Sequence, residues 1–267
     1  MATFTDQVVI VTGASEGIGR ALALALAPQR PKLVLAARNE ERLGSLASVC
    51  NANGAETLIV RADLTDEMRC RQLIQRAMER FGRLDALVNN AGGTLWTRVE
   101  DVQDTGVFER IMRLNYLSSV WCTFYALPHL KQTRGRIVAL SSLAGLTGVP
   151  TRSGYAASKH ALFGFFDSLR IELENSGVSV TIIAPDFVRT EIHKRALGSD
   201  GRPLGKSPLE ERRLMSAEEC AALIVEAMEK RKRVQFTSWR GRAGRWLKLL
   251  APGLIDRIAR NAIEARR

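Results

Sequence analysis

Two rhythms of apolar residues alternate along this chain. Short β-branched or aliphatic runs fall at residues 7–12, 32–37, 56–61, 85–89, 135–141, 178–184 and 233–237, and each predicts a strand. Between them, apolar positions at helical spacing predict helices at about 17–29, 39–51, 66–81, 103–131, 153–175 and 216–230. Nearly unbroken runs such as residues 8–12 (VVIVT) suit strands covered on both faces. Strand–helix alternation implies right-handed crossovers. The fold class is therefore read as α/β, a single Rossmann-type, doubly wound parallel sheet of about seven strands with helices on both faces. Residues 1–238 show no repeat, linker or low-complexity stretch and are read as one domain.

In such sheets ligands bind beyond the carboxyl ends of the strands, and that is where this chain keeps its chemistry. Gly13, Ser15, Glu16, Gly17, Ile18 and Gly19 follow the first strand and open a helix. Glycines there let the backbone approach a pyrophosphate, and the helix N-terminus offers free N–H groups and a positive dipole end. The second strand ends at Ala37, and Arg38 stands where the general dinucleotide fingerprint has an acidic residue for a ribose 2′-hydroxyl. A guanidinium suits a 2′-phosphate, so NADP(H) is preferred. Glu16 in the glycine turn keeps NAD(H) possible, and Glu40 and Glu41 offer Arg38 alternative partners.

Tyr155 and Lys159 share one helical face, about 5–6 Å apart at Cβ. A tyrosine titrates near about 10, and an adjacent ammonium lowers that value towards use as a proton donor or acceptor at neutral pH. Ser142 lies at the end of the fifth strand, where its hydroxyl could bond the oxygen that Tyr155 protonates. Asn115 interrupts an apolar helix, and a buried amide needs partners.

Taken in order, these motifs resemble the short-chain dehydrogenase/reductase family over roughly residues 5–237. They are the Gly13/Gly17/Gly19 turn, Asp63-Leu64, Asn89 to Gly92, Asn115, Ser142, Tyr155 with Lys159, and Pro185 to Thr190. The resemblance implies Asn115, Ser142, Tyr155 and Lys159 as the catalytic set, with Asn115 kinking its helix and holding a relay water. It implies Asp63 on the adenine amino group, Leu64 beside the base, and Asn89 tying adjacent strands. Ala91 and Gly92 would leave room for the adenine ribose, Lys159 would hold the nicotinamide ribose, Pro185, Val188 and Thr190 would border the nicotinamide end, and Asn90 and Tyr155 complete the implied cofactor contacts. Asp186 replaces the family's usual glycine, in a turn that Asp tolerates. A homodimer or homotetramer through the helices carrying Asn115 and Tyr155 is also implied.

Composition refines the picture. Four scattered cysteines read as buried thiols in a reducing compartment, and the three histidines lack metal-ligand spacing, so no metal is expected. His193 is kept as a substrate contact. It falls in residues 191–215, a polar glycine- and proline-containing stretch read as a lid over the substrate. The N-terminus has no signal-peptide pattern and no apolar run is long enough to span a bilayer, which places the protein in the cytoplasm.

The net charge is +11, yet residues 230–267 carry twelve basic and two acidic groups, a net +10. Residues 239–267 form a basic amphipathic extension. Leu247, Leu250, Leu254, Ile258 and Ala262 are its helical stripe, Trp239 and Trp246 flank it, Arg242, Arg245, Lys248, Arg257 and Arg260 interleave, and Pro252-Gly253 breaks it. This suits peripheral contact with an anionic membrane or packing on the chain's own domain or a sister subunit. No nucleic-acid partner is expected, since no reading helix accompanies the charge.

The function expected is NADP(H)-dependent interconversion of a carbonyl and a secondary alcohol on a hydrophobic small-molecule substrate. The alternatives are a 3-oxoacyl-[acyl-carrier-protein] reductase and, from another class, a non-catalytic NAD(P)-binding sensor or scaffold.

Overall fold

The computed structural model of the protein describes residues 3–209 and 214–264, with the side chains of Arg240, Arg245, Ala262, Ile263 and Glu264 outside that set. Seven strands pair in parallel in the order β3-β2-β1-β4-β5-β6-β7. They are β1 Val8–Thr12, β2 Lys32–Ala37, β3 Glu56–Arg61, β4 Ala86–Asn89, β5 Arg136–Leu140, β6 Ser179–Ala184 and β7 Val234–Phe236. Every strand expected from the apolar runs is present, β2 and β3 with the expected bounds and the other five trimmed by a residue or two. β1, β4 and β5 are buried at every residue, whereas the edge strands β3 and β7 are partly exposed. A central strand covered on both faces can afford no polar alternation, which explains the unbroken runs.

Helices provide that cover. On one face α1 (Gly17–Leu26), α2 (Glu40–Ala52) and α7 (Ala217–Glu229) bury Leu22, Leu43, Leu46, Ile224 and Met228 against the sheet. On the other, α3 (Glu67–Phe81), α5 (Ser118–Thr133) and α6 (Ser153–Glu172) bury Leu73, Ile74, Cys122, Leu162 and Phe166. Helix starts are set by side chains that satisfy the first backbone N–H groups. Asn39 accepts from Arg42 N, Asp66 from Met68 N, and Ser216 and Glu219 form a reciprocal box.

One expected helix is broken. Residues 103–131 resolve into α4 (Gly106–Met112), a π-helical turn (Arg113–Leu117) and α5. Asn115 sits in that turn, accepting from Gly93 N at 2.8 Å and donating to Gly93 O at 3.0 Å. The side-chain bonds hold one turn wider than α-helical spacing allows, so a bulge replaces a straight helix.

From β1 the chain builds outwards in one direction through β2 and β3 and in the other through β4 to β7. The resulting switch point leaves a crevice at the carboxyl ends of β1 and β4. The C-terminal extension folds across the same end of the sheet as α8 (Trp239–Leu250) and α9 (Pro252–Glu264), separated at Ala251 just before the proline. Asp186 anchors its start. The Asp186 N–H donates to Thr237 Oγ1 at 2.9 Å, and its carboxylate accepts from Ser238 Oγ at 3.2 Å. The residue does not adopt a positive φ, so the tolerance for unusual angles argued from sequence is not what Asp186 supplies. Lys248 Nζ adds a bond to the Leu146 carbonyl at 2.6 Å. Among the described residues no helix is long and apolar enough to cross a membrane.

Candidate active site

A cavity of about 470 Å³ occupies the crevice and continues under α8 and α9. At one end the glycine turn follows β1. Gly13 has φ +65°, a conformation that favours glycine, and a Cβ on Gly19 would lie 2.4 Å from the Gly13 carbonyl and 2.5 Å from Asn90 Nδ2. Asn90 fixes this turn by donating from Nδ2 to the carbonyls of Thr12 (2.8 Å) and Gly13 (3.2 Å). It is therefore Asn90 that ties β4 to β1. Asn89, assigned that work by resemblance, instead donates to Thr123 Oγ1 on α5 at 2.9 Å, because its side chain points to the helical face.

The start of α1 is uncapped, with Glu16 extended and no side chain bonded to the first turn. Unfilled N–H groups and a glycine cradle fit a pyrophosphate, the chemistry of a dinucleotide cofactor. Ser15 and Ile18 line the same wall, and Thr190 lies against it, where a Cβ on Gly17 would approach Thr190 Cγ2 to 3.2 Å. Arg38, Asp63, Leu64, Ala91 and Gly92 continue the lining at the ends of β2, β3 and β4. Asp63 shapes its own turn by accepting from the Thr65 N–H and hydroxyl, and Asp66, not Asp63, caps α3. No ion pair joins Arg38 to Glu40 or Glu41 among the described residues. Glu16 is instead held by Arg42 and Arg195, each at 2.6 Å.

The other end gathers Ser142, Tyr155 and Lys159. Ser142 Oγ accepts from Ala144 N at 3.2 Å and donates to the Pro185 carbonyl at 3.5 Å. Lys159 Nζ lies 5.7 Å from the Tyr155 ring centre and donates to Leu140 O at 2.7 Å. Asn115 Nδ2 donates to Ser158 Oγ at 2.8 Å, and Ser158 in turn donates to the Tyr155 backbone carbonyl, so the bulge braces the turn bearing the tyrosine and lysine. Burial pushes the Tyr155 phenol up, but the charges of Lys159 and Arg152 and hydrogen bonds with Ser142 and Arg152 bring it below its ordinary value. Burial holds the Lys159 ammonium below its ordinary value too, against the pull of Tyr155.

Comparisons with known proteins give the chain's family. The short chain dehydrogenase family matches residues 7–199. The chain belongs to the short-chain dehydrogenase family. An Arabidopsis thaliana relative named 11-beta-hydroxysteroid dehydrogenase-like 4A is 38% identical over 251 residues, 93% of this chain and 82% of that one. The crystal structure of a short-chain dehydrogenase/reductase from Burkholderia phymatum in complex with NAD has a TM-score of 0.83 and 27% identity, covering 95% of this chain and 96% of that one. An alcohol dehydrogenase from Thermococcus sibiricus complexed with 5-hydroxy-NADP has a TM-score of 0.73 and 27% identity, covering 86% and 94%. The protein is thus an NAD(P)-dependent oxidoreductase acting on a small molecule.

Around this dehydrogenase's tyrosine the structure adds residues that motif reading missed. Arg152 is buried at 5% exposure, with its guanidinium carbon 4.2 Å from the Tyr155 ring centre. Its position three residues before Tyr155, at the cap of α6, was the available signal. Gly241, Gly244, Ile255, Ile258 and Ala259 bring the extension into the cavity lining. The expected stripe divides: Leu250 at 84% and Leu254 at 45% are exposed, Ile258 is half-exposed at the cavity, and Ile255, one position off the stripe, is buried. Arg245 and Ala262 of that stripe lie outside the described side chains. In the expected lid, Leu197 bridges to Leu95 and Pro203, Met215 bridges to Val188, and residues 210–213 fall outside the description. Buried His193 lines the cavity, its Nε2 3.2 Å from the Val188 carbonyl.

Proposed function

We propose that this dehydrogenase interconverts a carbonyl and a secondary alcohol on a hydrophobic substrate with NADP(H). The observation that carries the reading is the buried Tyr155 phenol, set between Ser142 and two cations at the meeting of the cofactor cradle and an apolar chamber. A bound nicotinamide supplies the hydride in reduction and takes it in oxidation. Tyr155 gives its proton to the carbonyl oxygen in reduction and recovers it in oxidation. Ser142, held between Ala144 and Pro185, orients that oxygen. Lys159 holds the phenol below its ordinary value and would bind the nicotinamide ribose. Asn115 braces the turn carrying both.

The preference for the phosphorylated cofactor rests on charge. Ala37 and Arg38 replace a carboxylate at the end of β2, and the Glu16 charge is offset by Arg42 and Arg195. Asp63 and Leu64 take the adenine, Asn90, Ala91 and Gly92 its ribose, and Pro185, Val188 and Thr190 the nicotinamide end. Leu143, Leu146, Val149 and Ile255 supply the apolar walls that favour a hydrophobic substrate.

Residues 1–238 act as the catalytic unit and 239–267 as an extension that closes the chamber. Its outer face, with Trp239, Trp246, Leu249 and Leu250 exposed among basic residues, supports peripheral contact of a cytoplasmic protein with an anionic membrane. Exposed Phe124 on α5 and Ile171 on α6 support a homodimer or homotetramer.

The test is NADPH consumption with a panel of ketones. Turnover of medium-chain and polycyclic ketones but not of small polar ones is the expected result. The reverse pattern would sink the hydrophobic-substrate reading.

A further inference from the structure

Arg152 is a cation buried without a counterion. It stands at the cap of α6, immediately before Ser153, and lines the cavity beside Tyr155. Its guanidinium carbon lies 4.2 Å from the Tyr155 ring centre, 5.1 Å from that of Trp96 and 5.7 Å from that of Phe187. Aromatic faces attract a cation but accept its N–H groups only weakly. Of five N–H donors, one bonds Thr94 Oγ1 at 2.8 Å and one meets the Tyr155 oxygen. Nε has no partner, and among the described residues no carboxylate pairs with this side chain. Nearby in sequence, the Thr147 hydroxyl also lines the cavity, buried and without a partner.

Leaving a guanidinium dry and unpaired is costly, and a native chain retains such a group where a ligand completes it. Leu146, Val149 and Phe187 add apolar lining to the same cavity.

We propose that Arg152 is a subsite for an anionic oxygen group of the substrate, so that the preferred substrate is an amphiphilic ketone bearing a carboxylate or phosphate a few bonds from its carbonyl. The inference rests on Tyr155 as the proton donor. Arg152 and Tyr155 are in contact, so an acid group on Arg152 lies close to the carbonyl held at the phenol. The apolar remainder of the substrate runs along the chamber towards Ile255. Arg152 thus selects the substrate, in addition to its charge effect on the phenol.

The experiment compares 4-oxodecanoate, methyl 4-oxodecanoate and 3-oxononylphosphonate as substrates of the full-length protein with NADPH, for the parent, Arg152→Met and Arg152→Lys. The three ketones share the same alkyl chain and differ in the charged end. The expected result is kcat/KM for an acid about tenfold or more above the ester in the parent, carried mainly by KM. Arg152→Met, which also removes a charge beside Tyr155, slows all three ketones but the acids about tenfold more than the ester, so the preference is lost, and Arg152→Lys keeps part of it. Carboxylate against phosphonate identifies which acid group fits.

Equal turnover of acid and ester by the parent overturns the proposal. It is equally overturned if Arg152→Met slows all three ketones alike and shifts their pH profiles together, since Arg152 then serves Tyr155 alone. Fluorescence titration with NADPH separates these from failure of the underlying reading, in which NADPH binds and no ketone turns over. If Arg152→Met does not fold, the acid-to-ester ratio of the parent and of Arg152→Lys decides the matter.

Discussion

Glu16 of the glycine turn is joined to Arg195, 179 residues later, at 2.6 Å, and the same carboxylate holds Arg42. The two contacts close a ring of charge at the rim of the cofactor groove. An acidic residue that would repel a 2′-phosphate is thereby offset, and Arg38 stands beside it on the same wall. Arg38→Ala is expected to erase an NADPH-over-NADH preference of about tenfold, or about 1.4 kcal/mol, read by fluorescence titration. Glu16→Gln is expected to strengthen NADPH binding and leave NADH little changed. NADH binding the parent as tightly as NADPH would refute the charge argument.

Tyr155→Phe removes the proton donor and keeps the ring. A loss of roughly 10²- to 10⁴-fold in kcat is expected, with a far smaller change in cofactor affinity. Retention of most activity would show that another group moves the proton.

The pH dependence follows from the direction of the Tyr155 shift. Alcohol oxidation needs the phenolate, so its rate rises with pH through a value below the ordinary tyrosine range. Ketone reduction needs the phenol, so its rate falls as pH rises through the same value. Lys159→Met removes the strongest lowering influence, and both limbs are expected to move to higher pH in rate profiles. Unmoved limbs would assign them to another group.

Two glycines give opposite outcomes. Gly19→Ala brings a Cβ to 2.4 Å from the Gly13 carbonyl, backbone that cannot yield cheaply, and is expected to cost about 1–3 kcal/mol and cofactor binding. Gly44, inside α2, has nothing within 4 Å of a Cβ, so Gly44→Ala is expected to stabilise by about 0.5–1 kcal/mol. Thermal unfolding of the two variants checks both signs.

The exposed face of the extension predicts sedimentation with vesicles containing anionic lipid and not with neutral ones. Reversing Arg242, Arg257 and Arg260 to Glu is expected to weaken binding by about 1 kcal/mol or more per residue near the surface. Equal binding of parent and variant would point to a different face.

The cysteines predict a silent native state. All four are buried, and burial pushes Cys220 up to about 12 and Cys50 to about 11. Iodoacetamide at neutral pH is expected to label the protein in denaturant and not the folded protein, as followed by mass spectrometry.

The sequence by itself determined the strands, most helix starts, the glycine turn and the pairing of Tyr155 with Lys159. These are local facts. Apolar runs, capping residues such as Asn39 and Ser216, and a four-residue spacing act within a few positions of themselves. Tertiary structure decided the rest. Periodicity marks an amphipathic face without naming what it meets, so the extension's stripe was legible while the inward turn of Ile255 was not. Glu16 meets Arg195 only because the chain folds back over the sheet, and Asn115 bulges its helix because Gly93 comes within reach. Arg152 reads in sequence as an ordinary basic residue at a helix start, and only packing makes it a dry cation beside the tyrosine.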